Sequence, residues 1–298
     1  MKNIFLYLIT LILSLTSINS YSQEYTSIQE ALANADSARF LNLRGKGIES
    51  LPSAIGQLKN LDKLSLWKNS LTEVPVNIYS LDKLTYLNMR ENKLTVIAPE
   101  VKNLAQLKSL ELQKNKFEQL PEELTQLSNL VYLNISYNKL STFPTGMDNL
   151  LNLESIEAQG NLITVVPRGI YKCTKLKTLN LNENTVKSIS EEISQMKGLL
   201  NLNIEVNQIY TLPNNIGKVK TLKSLIAGSN SIKVLPESIV DLPQLELLIL
   251  TGNPLEKFPK KISKLKSLKT LVALNTKLSD AEKIRVKAAL PACDVRFE

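Results

Sequence analysis

Residues 130–144, LVYLNISYNKLSTFP, set one asparagine, Asn138, between leucine-type residues and a Phe-Pro pair, and near-copies of this phrase recur along the chain. Twenty-three residues before Asn138 stands Asn115, and 23 after it stands Asn161. The same step reaches Asn69, Asn92, Asn184, Asn207, Asn230 and Asn253, so nine asparagines share one spacing. It lands on Lys46 before the series and on Thr276 after it, each with the same flanking leucines. The first half of the unit reads L-x-x-L-x-L-x-x-N-x-L, as in Leu61, Leu64, Leu66, Asn69 and Leu71. The second half reads P-x-x-I-x-x-L-x-x-L, as in Pro52, Ile55, Leu58 and Leu61, with Ala98 and Ser190 in place of proline in two units. A repeat this regular marks a solenoid, in which a unit buries its apolar residues only by stacking on its neighbours.

These residues resemble the leucine-rich repeat proteins, in the 23-residue L-P-x-x-I variety found in many bacterial proteins and in the Ras-group scaffolds of plants and animals. The resemblance covers residues 38–278, or eleven units. It implies an α/β repeat solenoid, a curved horseshoe with a parallel β-sheet on its concave face. What members share is a shape, so it implies recognition of other molecules without naming them.

The ends of the chain read differently. Residues 1–22 carry one cation, Lys2, then an apolar run from Ile4 to Leu15, then Ser20-Tyr21-Ser22. This is the layout of a secretory signal, with Gln23 as the expected mature start. The run is shorter than the ~20 residues that span a bilayer. The mature protein is therefore expected not to span a membrane and to be secreted, periplasmic or at the cell surface. Residues 23–37 are expected to form an N-terminal helical cap, opened by a Ser27-x-x-Glu30 capping box with Ile28, Leu32 and Ala35 inward. Residues 279–298 are expected to form the C-terminal cap, a helix opened by Ser279-x-x-Glu282 with Ile284 and Ala288 inward, and the closing DVRFE is a candidate final strand.

Two cysteines do not pair on this geometry. Cys173 replaces a core leucine, and Cys293 lies five units further on, ~24 Å away at ~4.8 Å per rung. A disulfide needs Cα atoms within ~7 Å.

Strand alternation points Leu133 and Ile135 into the core and Asn134 outward. After each strand the backbone bends away from its ladder inside the solenoid, where an unpaired peptide group costs roughly 1–3 kcal/mol. A carboxamide carries both donors and an acceptor, so the nine asparagines read as a structural ladder that satisfies this bend.

Nothing in the chain reads as catalytic or as a cofactor site. Histidine is absent, which removes the usual neutral-pH acid–base group and the commonest metal ligand. There is no G-x-S-x-G, no phosphate-binding glycine loop and no metal-ligand spacing.

Function is then expected on the outward strand positions, which fall into columns. Two before the ladder position run Arg44, Trp67, Arg90, Gln113, Ser136, Gln159, Asn182 and Glu205. Four before it, the column begins with Asn42, Ser65, Asn88 and Glu111 and ends in Ile226, Ile249 and Val272; six before it come Phe40, Tyr86 and Tyr132. The first third joins Arg44, Trp67, Tyr86, Arg90, Tyr132 and Tyr137, residue types that concentrate at binding hot spots. Large residues are also tolerated on an open sheet. The last third sets Ile226, Leu247, Ile249, Val272 and Leu274 together, either as an interface or as surface covered by the C-terminal cap.

The net charge is +8, or +7 without Lys2. KFPKKISKLKSLKT, residues 257–270, holds six lysines and no acid. It reads as an alternative site for an acidic glycan or another polyanion, or as plain solubilising surface. No aromatic platform interleaves with these lysines, so nucleic acid is not an expected partner. The expected function is a non-catalytic protein- or peptide-binding scaffold acting outside the cytoplasm.

Overall fold

The computed structural model describes residues 23–298, and the expected signal segment lies outside the described residues. Thirteen short strands run parallel in one sheet, in chain order. They are β1 Glu24–Tyr25, β2 Phe40–Asn42, β3 Lys63–Ser65, β4 Tyr86–Asn88, β5 Ser109–Glu111, β6 Tyr132–Asn134, β7 Ser155–Glu157, β8 Thr178–Asn180, β9 Asn201–Asn203, β10 Ser224–Ile226, β11 Leu247–Ile249, β12 Thr270–Val272 and β13 Asp294–Arg296. From β2 to β12 each residue pairs with the one 23 positions on, as Leu110 with Leu133 and Leu133 with Ile156. The repeat length and the sheet register are thus one fact. The central residue of each of these strands is buried, and the sheet packs one face on the returning segments.

The return is mostly short 3-10 helix, entered through proline. Pro52, at φ −69° and ψ 144°, leads into Ser53–Gln57, and Pro121 leads into Glu122–Gln126 in the same way. Proline is suited to this corner because its ring already fixes φ near that value and it has no N–H to bury. The two units without it solve the problem of the extra donor identically. The Ala98 N–H donates to the Tyr79 hydroxyl at 3.3 Å, and the Ser190 N–H donates to the Tyr171 hydroxyl at 3.1 Å. Tyrosine occupies that position of the return only in the units preceding these two.

All nine asparagines form the ladder. In each, Oδ1 accepts a backbone N–H from the preceding rung, and Nδ2 donates to one carbonyl of its own rung and one of the rung before. Asn138, for example, accepts from Phe117 and donates to Ile135 and Leu112. The residue before the ladder position is left-handed in every unit: Gly45, Gly160 and Gly252, but also Lys68, Glu91, Lys114, Tyr137, Glu183, Val206, Ser229 and Asn275.

The ends close the stack. Helix α1, Ile28–Ala33, buries Ile28 and Ala31, with Leu32 and Ala35 half-buried, and Ser27 Oγ accepts the Glu30 N–H. A short helix, α2 (Arg168–Tyr171), replaces one 3-10 turn in mid-array. Helix α3, Asp280–Ala289, corrects the expected inward face: Ile284, 68 % exposed, and Ala288 both face out, and Val286 is the residue buried. Polar anchoring sets the helix phase. Glu282 accepts the Phe258 N–H at 2.7 Å, and Arg285 donates to the Phe258 and Pro259 carbonyls while ion-pairing with Glu282. The closing strand, β13, forms as expected beside β12.

A stacked arginine–tryptophan site on the concave face

The column two before the ladder places Arg44, Trp67 and Arg90 on three successive rungs. The indole of Trp67 is sandwiched, with the Arg44 guanidinium carbon 3.5 Å from its ring centroid and that of Arg90 also 3.5 Å. Guanidinium planes stack favourably on an indole face, and stacking leaves their N–H edges free. Phe40, Asn42, Ser65, Tyr86, Asn88 and Glu111 complete a shallow hollow of about 250 Å³ around the stack.

A carboxylate hub braces its far wall. Glu111 accepts from the Tyr86 hydroxyl at 2.8 Å and from Gln113 Nε2 at 3.0 Å, and lies 3.8 Å from the Arg90 guanidinium. Asn88 Nδ2 donates to the Tyr86 hydroxyl, and Asn88 Oδ1 accepts the Arg90 N–H. Burial and the neighbouring Glu111 push the Tyr86 hydroxyl well above its ordinary pKa, so it stays a neutral donor. Desolvation opposes ionisation of Glu91, but Lys114, 3.3 Å away, outweighs it with help from the Trp67 N–H and Arg90, and this carboxyl lies below its ordinary value. The indole N–H sits in that field without forming a hydrogen bond of good geometry.

The asparagines four before the ladder have a role that the column reading overlooked. Oδ1 of Asn42, Asn88, Asn134, Asn180 and Asn203 each accepts the N–H two residues on, at 3.1 Å. Asn42 and Asn88 thereby fix the backbone at Arg44 and Arg90, on either side of Trp67. The recurrence of Leu-Asn-x-x in five units carried that signal.

The sequence-derived candidates do not all converge. Arg44, Trp67, Tyr86 and Arg90 share one hollow. Tyr132 lies two rungs beyond Tyr86, half-buried, its hydroxyl accepting from Asn134 Nδ2. Next to it Glu157 accepts from Asn180 Nδ2 at 2.8 Å, and burial pushes its carboxyl above the ordinary range. Tyr137 stands apart from this hollow. Its left-handed backbone carries the ring to the turn, over Gly160, with Gln159 Nε2 reaching its hydroxyl at 3.3 Å. Ile226 and Ile249 form a separate half-buried apolar patch on β10 and β11. The lysines of residues 257–270 lie around the return Ile262–Lys264 and β12, where Lys264 pairs with Asp241 and Lys269 with Glu246. Among the described residues no helix is long and apolar enough to cross a membrane.

Family models for a leucine-rich repeat region and for the leucine-rich repeat match residues 97–209 and 59–117. No curated protein matches the chain in sequence. Among solved structures, a leucine-rich repeat protein of Leptospira interrogans is similar at 25 % identity and TM-score 0.71, over 92 % of this chain and 100 % of that one. An internalin of Listeria monocytogenes matches at 22 % identity and TM-score 0.70, over 89 % of this chain and 81 % of that one. A plant peptide hormone receptor, solved in complex with the ligand RGF2, matches at 25 % identity and TM-score 0.68, over 88 % of this chain and 47 % of that one.

Proposed function

The chain belongs to the leucine-rich repeat proteins, and we propose that it is a non-catalytic scaffold binding a protein or peptide across its concave face, outside the cytoplasm. One observation carries the reading. Among the chain's arginines, Arg44 and Arg90 are the two whose guanidiniums make no hydrogen bond within the described residues, and both flank the lone tryptophan. The other four, Arg39, Arg168, Arg285 and Arg296, are each tied to a carbonyl or carboxylate. A rigid sheet that displays ordered side chains limits the entropy lost on binding. The similar plant receptor, with its peptide partner, supports the same use of the surface. The signal-like leader in the sequence supports a location outside the cytoplasm.

The test is affinity capture. Immobilised 23–298 and its Trp67→Ala/Tyr132→Ala variant are exposed to envelope and extracellular extracts, and retained species are identified by mass spectrometry. A protein or peptide held by the wild type and lost by the variant is the expected result. Equal retention on both columns with release at high salt overturns it in favour of a polyanion on the late lysines, because contacts between exposed charges are screened by salt.

A further inference from the structure

We infer that the hollow around Trp67 recognises a carboxylate, presented by an acidic segment of the partner peptide. This rests on the concave-face reading above and narrows it to a chemistry.

The argument is an inventory of what lacks a partner. The carboxylates near the stack are each engaged, Glu111 by Tyr86 and Gln113, Glu24 by Asn42 at 2.6 Å, and Glu91 by Lys114 at 3.3 Å, and the buried acceptor left without a partner there, Gln113 Oε1, is a neutral amide oxygen. The cationic donors are not engaged in this way. Arg44 makes neither a side-chain hydrogen bond nor an ion pair among the described residues, and it is exposed. Arg90 has one ion pair, at 3.8 Å, beyond hydrogen-bond length, and its Nε–H is buried without a partner, whereas the buried Trp67 Nε1–H faces the Glu91 carboxylate. Buried donors without partners are uncommon and call for an explanation. On the next strand, Lys63, paired in register with Phe40 and Tyr86, adds an exposed cation to the same face. The groups left to meet a ligand thus comprise two guanidiniums and an ammonium, all cationic donors, against carboxylates already engaged. What such a surface lacks is an anionic acceptor.

The shape narrows the anion. The guanidiniums lie on opposite faces of one ring, each 3.5 Å from its centroid. Their outward edges therefore stand roughly a ring sandwich apart, and each edge matches the two-oxygen fork of a carboxylate. Phe40 and Tyr86 give the hollow an apolar side for the chain that carries the carboxylate. Side-chain rotation on binding, common at interfaces, would bring the buried Arg90 Nε–H into play. This picture also separates the site from the late lysines, which have neither an aromatic floor nor stacked cations.

A random dodecapeptide display library, selected in parallel on 23–298, on Arg44→Gln/Arg90→Gln, and on Lys260→Gln/Lys261→Gln/Lys266→Gln, tests it. The expected result is enrichment of sequences with Asp or Glu at a fixed position on the wild type and the lysine variant, lost on the arginine variant. A synthesised selected peptide should perturb the fluorescence of the single tryptophan saturably. Its Asn/Gln counterpart should bind roughly tenfold more weakly or worse, as expected for charge-assisted hydrogen bonds. Enriched peptides without an acidic position, but still perturbing Trp67, overturn the carboxylate and leave the concave-face reading intact. Failure of any peptide to enrich, or enrichment that survives the arginine changes without touching Trp67 emission, sinks both. Displacement of the peptide by heparin but not by a free Glu-rich peptide assigns the site to sulfate and also overturns the proposal.

Discussion

The Tyr171 hydroxyl accepts the backbone N–H of Ser190 from the next rung at 3.1 Å. Eight of the ten returns need no such acceptor, because proline supplies no N–H there; Tyr79 and Ala98 repeat the device in the other return that lacks proline. Burial pushes both phenols up to about 12, so they remain neutral at any ordinary pH. Tyr171→Phe should cost about 1–2 kcal/mol, the cost of an orphaned buried donor. In a Ser190→Pro background the same change should cost close to nothing, since Ser190 already sits at φ −71° and the donor is gone. Urea midpoints of the four proteins in this cycle decide it: equal costs of Tyr171→Phe in both backgrounds would show that the tyrosine acts by packing alone.

The ladder makes a stronger demand. Asn138 and Asn161 both donate to the Ile135 carbonyl, each at 3.0 Å, so neighbouring rungs share acceptors. Asn138→Ala leaves the Phe117 N–H without a partner and halves the bonding of the Leu112 and Ile135 carbonyls. The expected loss is about 3 kcal/mol, one orphaned buried donor together with weakened acceptors. At the outermost asparagine, Asn69, which is partly solvated, Asn69→Ala should cost less. Chemical denaturation of the two variants ranks them, and a larger loss at Asn69 would contradict the role of burial.

The solenoid and its ladder were legible because each is stated nine to eleven times in the sequence, and register follows from repeat length alone. The Arg44–Trp67–Arg90 stack was legible as a column for the same reason. What escaped is what happens once. Tyr137 reads as a neighbour of Trp67 until its left-handed backbone sends the ring over Gly160. Ile284 reads as core until the Glu282–Arg285 pair docks the other side of the helix on Phe258. The Tyr79 and Tyr171 hydroxyls compensate for a proline missing from a different unit, so no single repeat reveals them.

Val206 holds φ +52° where three other units use glycine. A β-branched residue in the left-handed region is strained, with a penalty of roughly 1–2 kcal/mol for L-residues. Its side chain is 44 % exposed, so little packing offsets the strain. Val206→Asn should therefore raise stability by about 1 kcal/mol, because asparagine tolerates this conformation. An unchanged or lower urea midpoint would mean that Val206 makes an apolar contact outweighing its backbone cost.

The cysteines should differ in reactivity without ever pairing. Cys173 is buried, donates to the Met147 carbonyl at 3.3 Å, and burial pushes its thiol up to about 11. Cys293 is half-exposed, and its thiol is also raised, by partial burial and Asp294. Because the thiolate is the reactive form, a disulfide-exchange reagent at pH 8 should titrate at most one thiol per chain in the native protein and a second only after unfolding. Rapid reaction of both would place Cys173 outside the core.

Glu157 sets a pH dependence whose sign can be worked out. Burial raises its folded pKa above the ordinary carboxylate value of 4.5, against the opposing hydrogen bonds from Asn180 and Ser155. The folded state then holds its proton more tightly than the unfolded chain, so this group favours folding fully below pH 4.5 and loses that contribution as pH rises through the folded pKa. Glu157→Gln removes the ionisation and keeps an oxygen for Asn180 to donate to. The variant and the wild type should melt together at pH 4, and the variant should melt higher at pH 7. Glu91 and Glu282, whose carboxyls are lowered, titrate alike in both proteins and cancel in the difference. A wild type that melts higher than the variant at pH 7 would show that the charged form of Glu157 is favoured in the fold, and that the concave face around Tyr132 is more polar than its burial implies.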